Sequence, residues 1–396
     1  MGGYRFTRND VALKFRLVLS LNFIFGHIYP CKLGGIKRVI ARIYIIFINF
    51  FLFVMTLLTI NNLINAFSSF LVALYIFVAL IGISHAAFRS AYIIIKRKNI
   101  RMIIYQFRRL VNEETFKKSQ NKAIQKAFKR SYRTLFIDTI IYCLCLILHL
   151  ILWIVKNIDT DEDETGLSLR EVVIKYNPVS YLSGINTKRL YCILYFITFF
   201  ISIGKVVTTD LLFHSWYALI IEEMDLLMEG LKVLIRQSEP RVAQRNLNQW
   251  LLFHHQFMRV MQKVTTLTSP CIVVTIIVDI LFVCILVYIV VKGIVGAFGM
   301  TVLLGFAFVS LIQAFLYCRI GQEIRNRIIK LQTVAYSAPW LGSPHNTQHA
   351  ALMICGAATE RAMPLPGAPF FALSLEFFAS TLGAIFTYFL VLLQLN

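Results

Sequence analysis

Few side chains in this sequence stand in patterns that support catalysis or metal binding. His254 and His255 are adjacent, which places their side chains about 100° apart on a helix, and neither belongs to an HExxH motif. No glycine-rich phosphate loop or nucleophile elbow occurs, and the eight cysteines form no CxxC pair. We therefore expect a protein that is not an enzyme and that requires neither a cofactor nor a metal.

Three acidic residues are better candidates for function, because they interrupt apolar runs. Asp138, Asp279 and Glu376 each lie in an otherwise apolar segment, and an ionisable residue inside a membrane is by default a functional hypothesis. The alternative, a position near a helix end in water or in an ion pair, is equally open for Asp138 and Glu376. Asp279 lies in the middle of its segment and is the strongest candidate of the three.

The composition indicates a membrane protein. Of the 396 residues, 58% are hydrophobic and only 15% are charged, whereas soluble domains carry about 25% charged residues. The net charge of +20 would fit nucleic-acid binding only if the basic residues were gathered on one soluble face. Lys and Arg instead alternate with apolar runs, so the sequence predicts membrane lipids as a partner and no nucleic acid.

Apolar runs of about 20 residues are long enough to span a bilayer, and their number predicts an all-α membrane protein with seven transmembrane helices. Lys and Arg indicate the orientation, because they are in excess on the cytoplasmic side. Of the 40 Lys and Arg, 34 fall on the side of the N-terminus. The predicted topology is therefore inverted relative to G-protein-coupled receptors, with a cytoplasmic N-terminus and an extracellular C-terminus. The predicted spans are 43–62, 70–88, 134–155, 190–210, 264–291, 293–318 and 369–395.

The predicted cytoplasmic segments show helical periodicity of their own. Residues 1–42 predict an amphipathic segment, and 96–133, 211–263 and 319–363 predict helices that continue beyond the membrane. An apolar stripe outside the membrane needs a cover that excludes water. We therefore expect these extensions to form an anchor bundle that packs subunits together. The clearest stripe consists of Trp216, Ile220, Met224, Leu227, Leu231 and Leu234.

The C-terminal part of the sequence carries an ordered series of motifs. QWLLFHHQF (Gln249–Phe257) contains a W-x-x-x-H-H element, and a C-x-x-G-Q element, the pair Tyr336 and Trp340, Pro364–Pro366 and a terminal TYFLVLLQL follow in order. This series resembles the insect odorant receptor family, and its end is also close to the insect gustatory receptor signature. The last residues look most like the odorant co-receptor and early-branching odorant receptors. The inner connection between spans four and five, about 60 residues, is shorter than in the co-receptor pattern.

The resemblance implies an odorant-gated, nonselective cation channel of the plasma membrane in sensory neuron dendrites. Its partners would be a small volatile odorant and further subunits, either as a homotetramer or as a heterotetramer with the odorant co-receptor. A gustatory receptor channel and an odorant co-receptor-like subunit stay open as alternatives. A transporter or a trafficking scaffold is the alternative from a different class.

Matching the terminal motif to the family places a hydrophobic gate on Val391 and neighbouring pore-lining positions on Gln394 and Leu395. These residues share one helical face with Ala384 and Thr387. A ring of four Val391 side chains would close the pore by dewetting, and Gln394 would form a neutral amide ring at the outer mouth. The alternative is that this face packs on a neighbouring helix.

An odorant site should be a closed apolar and aromatic cavity with few polar groups. The family places this site in the outer half of spans two, three, four and six. Trp153 is a favoured member, because its ring can stack on a ligand and its N–H can donate a hydrogen bond. The alternative is that these side chains only pack the helices or lie at the membrane interface. The candidates are Val78, Ile81, Gly82, Leu146, His149, Trp153, Tyr195, Phe199, Leu303 and Phe306.

Overall fold

The structure is a computed structural model of the chain. It describes residues 11–27, 35–67, 70–111, 185–235, 240–292, 297–337 and 373–394, together with residues 129, 345, 348, 349, 352, 353 and 356. The predicted span 134–155 therefore lies outside the described residues, and with it Asp138, Leu146, His149 and Trp153.

The elements within the described ranges are α-helices. They are α1 (Val11–Ile24), α2 (Gly35–Asn65), α3 (Phe70–Ile95), α4 (Arg97–Val111), α5 (Ile185–Ile235), α6 (Pro240–Val291), α7 (Ala297–Tyr336) and α8 (Leu375–Gln394).

Local sequence accounts for several of the helix ends. Helix α2 ends at Asn65, within a patch of asparagines that favours turns over a continued helix. Helix α6 begins at Pro240. Proline suits this position because the first N–H groups of a helix have no intrahelical acceptor, so the missing N–H costs no hydrogen bond. Ser374 precedes α8 and its hydroxyl accepts a hydrogen bond from the Phe377 N–H at 3.1 Å. Ser374 therefore caps the start of the last helix.

Six of these helices are long and apolar enough to cross a membrane. Helix α2 also exposes a row of large apolar side chains that includes Ile43, Phe47 and Phe50, as expected for a helix that faces lipid. Helix α5 has 51 residues, a length of about 76 Å at 1.5 Å per residue, whereas the hydrocarbon core is about 30 Å thick. More than half of α5 must therefore extend beyond the membrane.

The largest apolar core among the described residues lies mainly in these extensions. It joins the second half of α5, residues 250–276 of α6 and the second half of α7 with α4 and with one residue each of α1 and α3. Five members of the α5 stripe are covered within this one chain: Trp216, Ile220, Met224, Leu227 and Leu231 are all buried. The cover that the sequence required for these side chains is therefore supplied within the subunit, and the packing of subunits through the extensions stays a prediction.

Candidate functional site

Little of the predicted pore helix α8 is covered by the rest of the described chain. It contacts α6 and α7, and Ile385 is its one buried residue. The predicted pore face, Ala384, Thr387, Val391 and Gln394, is exposed along its whole described length, and Val391 is 46% exposed. The described part of the chain therefore leaves this face uncovered. Leu395 lies outside the described residues.

The predicted odorant-pocket residues divide between two apolar clusters. Val78 and Leu303 are buried in one cluster, with Phe306 packed against it, and Ile385 of α8 belongs to the same cluster. Tyr195 is buried in a second cluster between α2, α3 and α5, with Phe199 packed against it.

The structure thus brings Val78, Leu303 and Phe306 together and places Tyr195 and Phe199 apart from them. Ile81 and Gly82 of α3 are partly buried. The first cluster joins candidate pocket residues to Ile385 of the predicted pore helix.

A buried polar network joins four helices near the ends of predicted spans two and four. Arg89 of α3 donates to a carboxylate oxygen of Asp210 of α5 at 2.7 Å and to the Thr275 hydroxyl of α6 at 2.7 Å. The same carboxylate accepts hydrogen bonds from Gln313 of α7 at 2.7 Å and from the Tyr317 hydroxyl. Because the Arg89 side chain is inaccessible to solvent, its charge depends on Asp210 for compensation.

A second polar cluster lies next to this one and includes another buried cation. The ammonium group of Lys205 donates to the Asn49 amide oxygen at 3.0 Å and to the Ser90 hydroxyl at 2.7 Å. Ser90 in turn donates to the same Asn49 oxygen at 2.7 Å. These bonds join α2, α3 and α5 at the level where the spans pass into the extensions.

Sequence reasoning missed both networks. Arg89 directly follows the predicted span 70–88, and Asp210 is the last residue of the predicted span 190–210. A usable signal was present, because opposite charges stand at the same end of two predicted spans, where burial would require them to pair.

Among the acidic candidates, the structure distinguishes Asp279 from Glu376. Asp279 of α6 is buried, and its Oδ2 has no hydrogen-bond partner among the described residues. Glu376 in the first turn of α8 is exposed. His345 and His349 have stacked rings with centroids 6.3 Å apart, but no group of three or more His, Cys, Asp or Glu in the described ranges could hold a metal.

Comparison with known proteins now identifies the family. The family described as 7tm odorant receptor matches residues 66–386, which is well over half of the chain. The chain belongs to this family. It is therefore a member of a receptor family with a multi-pass membrane fold, as the resemblance in its motifs predicted.

Curated relatives match this family member over a shorter segment. It is 36% identical over 102 residues to the odorant receptor coreceptor of Anopheles gambiae, which covers 26% of this chain and 21% of that protein. The odorant receptor coreceptor of Aedes aegypti is 36% identical over 101 residues, with shares of 26% and 21%. That of Drosophila melanogaster is 34% identical over 102 residues, with the same shares. The matched segment therefore spans about a fifth of these relatives.

Solved structures show the shared fold over the whole chain. The insect olfactory receptor OR5 from Machilis hrabei has a TM-score of 0.81 and 17% identity, over 98% of this chain and 99% of that one. OR5 in complex with eugenol has a TM-score of 0.78 and 18% identity, with the same coverage. The predicted all-α, seven-span fold class is confirmed by this likeness.

The W-x-x-x-H-H element lies in the core of the extensions in this odorant receptor family member. The Trp250 indole N–H donates to the Leu227 carbonyl of α5 at 3.0 Å, and its ring stacks on His254 with centroids 5.1 Å apart. Burial, together with the nearby His255, lowers the pKa of His254 to about 4. His254 is therefore neutral at physiological pH and acts as a packing group.

The C-x-x-G-Q element explains how α7 approaches the start of α8. A Cβ atom on Gly321 would lie 2.4 Å from the Leu373 carbonyl oxygen, so only glycine fits without a shift of the backbone. Leu373 comes just before the Ser374 cap of α8. The glycine therefore permits the contact that holds the first turn of the predicted pore helix.

Proposed function

We propose that this chain is a subunit of an odorant-gated, nonselective cation channel in the plasma membrane of sensory neuron dendrites. Membership of the 7tm odorant receptor family is the observation that carries the proposal. OR5 from Machilis hrabei, which shares the fold, is described in complex with eugenol. That complex supports a small organic molecule as the ligand here.

The pore in this proposal runs between the α8 helices of four subunits. The support is the exposed face of α8, which no described part of the same chain covers and which carries Val391 and Gln394. Four valines facing one another would form an apolar constriction that loses its water when narrow. The amide of Gln394, together with Leu395, would line the outer mouth without imposing a charge.

Odorant binding in this proposal acts on α8 through the cluster that holds Val78, Leu303, Phe306 and Ile385. A ligand seated against Phe306 would press on side chains that touch the pore helix directly. Packed apolar interiors transmit such displacements because they contain few voids. Trp153, His149 and Leu146 would complete the pocket from span three, and Tyr195 and Phe199 would form a neighbouring wall.

A second candidate role is that of a co-receptor-like subunit. It is favoured by the relatives over the matched segment, all three of which are odorant receptor coreceptors. Such a subunit would contribute to the pore and to assembly while another subunit binds the odorant.

Current recording in cells distinguishes these roles. The chain is expressed alone, with an odorant co-receptor, and with a separate odorant-binding receptor. Surface protein is quantified, and panels of volatile odorants and of non-volatile tastants are applied. Odorant-evoked cation current in either arrangement supports the channel proposal. A response only when a separate odorant-binding receptor is added supports the co-receptor-like role. Surface protein without any evoked current contradicts both, and a response restricted to non-volatile tastants supports a gustatory receptor instead.

A further inference from the structure

A small cavity lies where α6, α7 and the first turns of α8 meet. Its volume is about 10 Å³, about the space that one water-sized probe requires. Its lining includes Phe377, Phe378 and Thr381 of α8, Asp279 of α6 and Ser310 of α7. Among the described residues that line the cavity, Asp279 is the one acidic side chain, and it shares the cavity with Thr381 of the predicted pore helix.

Asp279 is left unsatisfied in this arrangement. The residue is 6% exposed, and its Oδ2 has no hydrogen-bond partner among the described residues. Arg89 interacts with it electrostatically, but the N–H groups of Arg89 are directed to Asp210, Thr275 and the Val206 carbonyl. A buried carboxyl oxygen without a donor is unfavourable, so a conformation that supplies a donor would be stabilised.

Thr381 is the donor on the pore helix that lies beside the same cavity. Its hydroxyl donates to the Phe377 carbonyl of its own helix at 2.9 Å. That carbonyl is one turn back in α8, so the hydroxyl bond only supplements a helix that is already hydrogen-bonded. The hydroxyl is therefore free to exchange this acceptor for a better one without disrupting α8.

We propose that Asp279 and Thr381 form a gating latch, in which the Asp279 carboxyl group accepts a hydrogen bond from Thr381 in one state of the channel. In the structure Thr381 bonds within its own helix, and the proposal assigns this arrangement to the other state. Closing the cavity moves the first turns of α8 towards α6. The inference rests on the proposed channel function and assigns Asp279 as a positioning residue for the gate.

The geometry of α8 connects this latch to the gate. Val391 lies ten residues beyond Thr381, which is about 15 Å along a helix. The helix is continuous from Leu375 to Gln394, so a shift or rotation of its first turns is carried to Val391. A displacement about the size of the cavity is sufficient to alter an apolar constriction that depends on its width.

A double-mutant cycle on the full-length chain tests the latch. Asp279→Leu and Thr381→Val each remove one partner and keep the number and branching of side-chain heavy atoms, while Asp279→Asn keeps an acceptor and Thr381→Ser keeps the donor. The readouts are basal current and the half-maximal odorant concentration, at matched surface protein. We expect each disruptive variant to shift that concentration by about tenfold in the same direction. The double variant should shift no further than either single, and both conservative variants should remain within about twofold.

Additive shifts in the double variant, or no shift in either single variant at normal surface level, would overturn the latch. A wild type without odorant-evoked current refutes the proposed function and the latch with it. A responsive wild type with unshifted variants refutes the latch alone.

A second measurement tests the same contact if the disruptive variants fail to reach the cell surface. Asp279→Cys and Thr381→Cys are combined in a Cys318→Ala background, because Cys318 also lines the cavity. If the two positions meet in one state, cadmium ions should bridge the paired thiolates and hold the evoked current at one level until a chelator is added. Asp279→Cys alone, which leaves the Thr381 hydroxyl in place, should not respond in this way. The same response in Asp279→Cys alone, or no cadmium effect in the double variant, contradicts the proposed contact.

Discussion

Replacing Asp210 by alanine tests whether the buried polar network holds the helices together. The substitution removes the carboxylate that accepts from Arg89 at 2.7 Å and from Gln313 at 2.7 Å, and it leaves the Arg89 charge without its partner. Breaking a buried ion pair on one side costs about 3–5 kcal/mol, a large share of the roughly 5–15 kcal/mol that stabilises a typical fold. At about 2–4 °C per kcal/mol, the apparent melting temperature should fall by roughly 10 °C.

Thermal unfolding of the detergent-solubilised full chain, followed by size-exclusion chromatography of a fluorescent fusion, measures this loss. Asp210→Asn keeps an acceptor but no charge, so its melting temperature should lie between those of the wild type and Asp210→Ala. The double variant Arg89→Met with Asp210→Leu removes both charges and should recover most of the loss, because no uncompensated charge remains. If Asp210→Ala melts within about 2 °C of the wild type, the charge of Arg89 does not depend on Asp210 and the reasoning is wrong.

Three further predictions concern the extensions and the start of α8. Trp250→Phe should lower the free energy of unfolding by about 1 kcal/mol, because the hydrogen bond to the Leu227 carbonyl is lost. Trp250→Ala should lower it by about 3–5 kcal/mol, and equal melting temperatures for the two variants would contradict this. Gly321→Ala should lower the free energy of unfolding by about 1–3 kcal/mol, because its Cβ would lie 2.4 Å from the Leu373 carbonyl oxygen. An unchanged melting temperature would show that the backbone at Leu373 moves away without cost. The pKa of Glu223 is raised from 4.5 to about 8, chiefly by burial and secondly by the charge of Glu222. Between these two pH values the folded state keeps a proton that the unfolded state has lost, so the free energy of unfolding should fall as the pH rises. Glu223→Gln should remove this part of the pH dependence, measured as the difference in melting temperature between pH 5 and pH 8; an unaltered slope would contradict the assignment.

The fold class followed from the sequence because its signals are local. Uninterrupted apolar runs, turn-forming asparagines before Phe70 and the proline at 240 each act on their own segment. The order of the C-terminal motifs also predicted the family, which comparison confirms over residues 66–386. The fold class and the family could therefore be predicted from the sequence.

The contacts between helices could not be predicted in the same way. Arg89 and Asp210 are 121 residues apart, and nothing local states that their helices meet. The sequence predicts that the apolar stripe of α5 needs a cover, but it does not show that α4, α6 and α7 of the same chain supply it. The separation of Tyr195 from Phe306 likewise depends on helix packing rather than on helical periodicity.

Cysteine accessibility at the predicted gate tests most directly whether α8 lines an ion path. Val391→Cys and Phe386→Cys are compared with the wild type during odorant application, using a charged, water-soluble thiol reagent. Phe386 is 60% exposed but lies five residues from Val391, about 140° around the helix. We predict that the reagent changes the evoked current of Val391→Cys and leaves the currents of Phe386→Cys and the wild type unchanged. An evoked current that the reagent alters through Phe386→Cys and not through Val391→Cys would contradict it.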